Sequence, residues 1–112
     1  MDIVYIATPY KSGPDRAKFY ADRASALHIM KGDIVFSPVS QNHNVADHMP
    51  NDVRTDNEVW LPQCLYWLAQ CTLLHVVCDS DHQLEISEGC QEEIKFCEEH
   101  KIPIIKTYYH EL

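Results

Sequence analysis

The chain has 112 residues, 46% hydrophobic and 23% charged, which suits one domain with one core and excludes a disordered segment. Its 17 acidic and 9 basic residues leave a net charge of −8, which argues against a nucleic-acid backbone or an anionic membrane as main partner. An anionic small molecule stays open, because a helix terminus or a lysine can override the overall field locally.

Ile3 to Ala7 reads as a buried first strand, ended by Thr8-Pro9-Tyr10 and the turn residues Lys11 to Pro14. Asp15 to Met30 has helical composition, with Ala17, Ala21, Ala24, Leu27 and His28 near one face; Lys31-Gly32-Asp33 stops it before a second strand, Ile34 to Phe36. Ser37 to Asp52 reads as a long connection, a length that is often functional. Thr55 to Gln70 predicts a second helix, with a start near Leu61 or a kink because of Pro62. Leu73 to Cys78 predicts the third strand, Ile102 to Lys106 the fourth, and Thr107 to Leu112 a tail.

Between the last two strands, Ser87 is a good helix N-cap, and Gly89 lets a ligand approach the positive helix end. Cys90, Ile94 and Cys97 form the buried stripe of that helix. Glu92 falls opposite the stripe and Glu93 beside its edge, at the border between core and cleft. A half-buried carboxylate beside an anion-binding helix end suits a covalent nucleophile or general base; the alternative is an acidic helix face with one carboxylate at its boundary.

Alternating strands and helices predict an α/β fold, a single-domain, flavodoxin- or Rossmann-like three-layer sandwich over residues 1–112 with a parallel sheet of four to five strands. The strand carboxyl ends then share one edge, where Thr8 to Gly13, Ser37 to Asn44, Asp79 to Glu85 and the Ser87 helix start converge. The five cysteines, an odd number with no C-x-x-C pair, fit neither a disulfide framework nor a zinc site and read as small buried hydrophobes in a reducing cytoplasm. The start MDIVYIA is too short and acidic for a signal peptide, and no apolar run reaches membrane-spanning length. His43, Asp47 and His48 fit no standard metal motif, so no metal or cofactor is expected. Asp79, ending a strand at the functional edge, and Ser37 are candidates for ligand contact, and turn formation is the alternative for both. Arg16 and Arg23 read as surface ion-pair residues, and Trp60 and Trp67 as core or subunit-interface residues.

Four stretches in order, VYIATPY at 4–10, VFSPVSQNH at 35–43, Trp60 opening its helix, and SEGCQEEI at 87–94, resemble the nucleoside 2-deoxyribosyltransferase-like superfamily. That superfamily includes the transferases, 2′-deoxynucleoside 5′-phosphate N-hydrolases and small bacterial and phage proteins. The last stretch matches S-x-G-x-x-x-E, whose Glu is the family nucleophile, which implies Glu93. The resemblance implies cleavage of the N-glycosidic bond of a nucleoside or 2′-deoxynucleotide through a covalent glycosyl-enzyme intermediate, by hydrolysis or transfer. It also implies Tyr5 touching the sugar or the nucleophile, Ser87, Gly89 and Lys11 near a 5′-phosphate, Thr8 and His43 lining the substrate, and a homodimer or larger assembly whose YYHEL tail can complete a neighbour's pocket. Two departures stand out. Cys64 occupies the position of a family Asp, so that Asp56 or Asp79 substitutes or the protein is a non-catalytic nucleotide binder. His82 to Ile86 replaces the Gly-Trp pair that precedes the Ser in the small branch.

Overall fold

The computed structural model describes residues 1–54 and 56–112. Strands β1 (Ile3–Ala7), β2 (Ile34–Phe36), β3 (Leu73–Cys78) and β4 (Ile104–Tyr108) form one all-parallel sheet in the order β2-β1-β3-β4. Five helices accompany them: α1 (Pro14–Met30), α2 (Pro38–Ala46), α3 (Asn57–Leu68), α4 (Asp81–Glu85) and α5 (Glu88–His100). The molecule is an α/β sandwich of the Rossmann or flavodoxin kind, as its alternating elements require.

Side-chain alternation along the strands divides the core. Val4, Ile6 and Val77 face α1, packing on Ala21 and Ala24, whose small side chains let the helix approach closely. Tyr5, Ala7, Leu74, Val76 and Cys78 face the other way, onto Leu68 of α3 and Cys90 and Cys97 of α5. Four of the five cysteines are buried and none is bonded to another, in keeping with their reading as small apolar residues. No helix among the described residues is long and apolar enough to cross a membrane.

Several boundaries differ from the sequence reading. The connection from Ser37 contains α2, which starts at Pro38, where proline's fixed φ favours a first helical turn and its missing N–H is not needed. Helix α3 runs through Pro62 instead of starting near it: Asp56 caps the start by accepting from the Glu58 N–H at 2.9 Å. Pro62 cannot donate to the Glu58 carbonyl, but both residues are exposed, so water can satisfy that oxygen. Thr55, taken as the first residue of this helix, lies outside the described residues.

Strand β4 begins two residues later than expected. Lys101 ends α5 in the left-handed conformation (φ 58°), and the Ile102 N–H turns back to the Cys97 carbonyl at 2.9 Å. The presumed tail therefore supplies the end of β4 and a 3₁₀ turn, Tyr109–Glu111. Short α4 was also unforeseen; Ser80 caps it through the Gln83 N–H at 3.1 Å.

Because β2 and β3 lie on opposite sides of β1, the chain changes winding direction between β1 and β3. In such sheets a crevice opens at that switch point, beyond the strand carboxyl ends. The cavity described next occupies this place.

Candidate active site

Residues after β1 (Thr8 to Ser12), on α2 (Asn42, His43), on and before α3 (Arg54, Asn57, Trp60, Cys64) and at the start of α5 (Ser87 to Cys90, Glu93) enclose a cavity of about 370 Å³. That volume lies within the range of small-molecule sites.

Glu93, on the second turn of α5, reaches the cavity with only 7% of its surface exposed. Burial removes water from the carboxylate and pushes its pKa up from 4.5 to about 7, while the hydrogen bond from Tyr5 works in the opposite direction. The Tyr5 phenol donates to Glu93 Oε2 and is itself fully buried. Burial and the adjacent carboxylate raise the Tyr5 pKa well above its ordinary value, so the phenol keeps its proton. Tyr5 is absent from the cavity wall. It holds Glu93 from behind, so of the two contacts implied for it the one with Glu93 is present. Glu92, one residue earlier, is exposed.

Ser87 caps α5, its Oγ accepting from the Cys90 N–H at 3.4 Å, and both Ser87 and Gly89 line the cavity. A side chain at position 89 would meet Asn57 Oδ1 at 3.4 Å, so Gly89 keeps α3 and α5 close at the cavity wall. Thr8 lines the cavity too, with its hydroxyl bonded to Tyr109 at 2.9 Å. Lys11 is exposed at the rim, and His43 is on the wall.

Two expected site residues lie off the cavity wall. Ser37 lies outside the cavity wall and its hydroxyl pairs with Ser40 at 2.7 Å, which is the turn role. Asp79 faces an adjoining cleft of about 240 Å³, which shares Ser12, Gln83 and Ile86 with the cavity, and Arg16 binds it at 2.9 Å. Asp56, the other acid named as a substitute for the family Asp, is engaged as the α3 cap and is also off the wall. Cys64 does line the cavity, beside Tyr5 and Glu93; burial pushes its thiol up to about 11, so it carries no negative charge there near neutral pH.

The sequence reading did not single out Tyr10, Asn42, Arg54, Asn57 or Gln83, which all line the cavity, and placed Trp60 in the core or an interface. Trp60 instead faces the cavity and donates its indole N–H to the Arg54 carbonyl at 2.9 Å. Asp47 pairs with Arg54 rather than joining a His cluster. Tyr109 of the C-terminal segment is buried in its own chain, stacked on Tyr20 at 4.1 Å. One signal for Tyr10 was available: it ends the VYIATPY stretch, at the sheet edge where ligands bind.

No curated protein matches the chain. A family model does, over residues 2–107, and the chain belongs to that family, described as Domain of unknown function (DUF7768).

Proposed function

We propose that the protein is an enzyme of the nucleoside 2-deoxyribosyltransferase-like kind, cleaving the N-glycosidic bond of a nucleoside or 2′-deoxynucleotide with Glu93 as covalent nucleophile. The observation that carries this reading is one buried carboxylate, oriented by a buried phenol, opening into a cavity at the N-terminal end of a helix. A glycosyl-transfer nucleophile needs that arrangement: fixed in place, shielded from water, and facing room for a sugar. Lys11, Arg54, Ser87 and the α5 terminus line the same space and suit an anionic substituent on the sugar.

In the first step a Glu93 oxygen bonds C1′ while the C1′–N bond breaks and the base leaves with the electron pair, taking up a proton. Water or a second base then attacks C1′ and frees the carboxylate. The reading includes a homodimer or larger assembly in a reducing cytoplasm. The second reading is a nucleotide binder without chemistry. It is favoured by Cys64, because Glu88 and Glu93 are the sole acids on the cavity wall among the described residues and Glu88 is exposed.

A chromatographic screen separates these readings. The protein is incubated with each 2′-deoxynucleoside and its 5′-monophosphate, with and without an acceptor base. Free base without acceptor identifies a hydrolase, and an exchanged base identifies a transferase. Ligand-induced thermal stabilisation without base release supports the binder, and neither effect overturns both.

A further inference from the structure

Breaking a C1′–N bond leaves a negative base unless something protonates it. The cavity wall offers few groups for this. Arg54 is too weak an acid, Cys64 lies at the Tyr5 and Glu93 end of the cavity, and Glu88 is exposed. Opposite them is a connected chain: the Tyr10 hydroxyl is 2.7 Å from His43 Nδ1, and His43 Nε2 is 3.3 Å from Asp15 Oδ1. Tyr10 and His43 both line the cavity, while Asp15 lies outside it at the start of α1, fully exposed. Phenol, imidazole and carboxylate come from three segments, the β1–α1 loop, α2 and α1, and the tyrosine and histidine rings meet edge to face at 5.7 Å.

From this geometry we infer that Tyr10 is the proton donor to the departing base, recharged by His43, which Asp15 orients. The assignment rests on the glycosidic reading above. The imidazolium donates Nε2–H to Asp15 and Nδ1–H to the Tyr10 oxygen, which leaves the Tyr10 O–H free to point into the cavity. As Glu93 bonds C1′ and the C1′–N bond breaks, the base nitrogen keeps the bonding pair and takes the Tyr10 proton. His43 Nδ1–H then passes its proton to the phenolate. In the second step water attacks C1′, its proton returns through Tyr10 to His43, and Glu93 leaves as carboxylate. One water is consumed and no proton is gained or lost overall. Tyr10 is the catalytic group here, while His43 and Asp15 act through it as positioning residues.

Other charges face this chain. Asp22 on α1 faces His43; burial raises the Tyr10 pKa, with Arg54, Asp47 and Asp15 acting on it as well, so the phenol holds its proton until the departing base draws it off. Glu93 must be ionised to attack, so the rate has an ascending limb from Glu93.

The test compares Tyr10→Phe and His43→Gln with wild type on two substrates, with melting temperatures confirming folded protein. One is the best nucleoside or nucleotide of the base-release screen. The other is 4-nitrophenyl 2-deoxyriboside, whose leaving group departs as a stable anion without a proton. Both variants are expected to lose about 100-fold or more on the natural bond, a general acid's typical share, and less than about three-fold on the aryl glycoside. Equal losses on the two substrates, or no loss on the natural bond, overturn the assignment. Where wild type does not turn over the aryl glycoside, an N7-methylated purine 2′-deoxynucleoside, whose base also leaves without a proton, takes its place in the same comparison. Wild type that releases no base from any nucleoside or nucleotide overturns the glycosidic reading itself, and this proposal with it.

Discussion

Replacing Glu93 by Ala is expected to abolish base release, and Glu93→Gln to slow it by roughly 10³-fold or more, since an amide is no nucleophile toward C1′. Glu92→Ala, one residue away and exposed, is expected to stay within about two-fold of wild type, as surface changes remote from a site generally do. The contrast follows from the turn of α5, which points one acid at the cavity and its neighbour at solvent. The wild-type pH profile carries the same signature. Burial holds the Glu93 pKa at about 7, so kcat/KM should climb close to tenfold per unit below that value and flatten above it. Initial rates of the three variants, and wild-type rates across pH, check both statements. Equal activity in wild type, Glu93→Ala and Glu92→Ala would remove Glu93 from the mechanism.

The burial that tunes Glu93 also costs stability, and Glu93→Gln should recover it. Unfolded, the carboxyl titrates near 4.5; folded, near about 7. Between those values the folded state binds more protons, so this contribution is complete below about pH 4.5 and disappears as pH rises through about 7. The shift corresponds to about 3 kcal/mol. Glutamine keeps the shape, accepts the Tyr5 hydrogen bond through its amide oxygen and never ionises. Glu93→Gln is therefore expected to be more stable than wild type by up to about 3 kcal/mol at pH 8, with the gap closing toward pH 5.

Wild type alone would not reveal this, because His75 titrates with the opposite sign. Its imidazole bridges His28 and Thr107, each at 2.8 Å, and burial lowers its pKa from 6.5 to about 4. Its contribution is present above about pH 6.5 and lost as pH falls through about 4. The difference between wild type and Glu93→Gln cancels it. Urea denaturation of both proteins from pH 5 to pH 8 measures that difference, and a pH-independent gap would contradict the buried, raised carboxyl.

What the sequence made legible is what repeats with a period. The strands at 3–7, 34–36 and 73–78 are short apolar runs between turn residues, and the parallel sheet follows from the helices between them. The placement of Glu93 beside the α5 core stripe came from the same kind of regularity. The site's remaining residues sit where regularity fails. Tyr10 and Arg54 lie in connections, and Asn57 opens a helix whose start was obscured by Pro62. Helix α2 was hidden because its nine residues carry a proline, a serine and two asparagines with few strong helix formers; packing on α1 and β1, not propensity, holds it. Asp79 and Ser37 had the right edge of the sheet but partners of their own, Arg16 and Ser40, which only three-dimensional proximity determines.

The central claim is that Glu93 carries the sugar during turnover. It is tested most directly by mass spectrometry of protein quenched in acid during reaction with its best substrate, followed by peptide mapping. The expected result is a single deoxyribosyl adduct on the peptide holding Glu93, absent from Glu93→Gln. Base release accompanied by an adduct on another residue, or undiminished in Glu93→Gln, would contradict it.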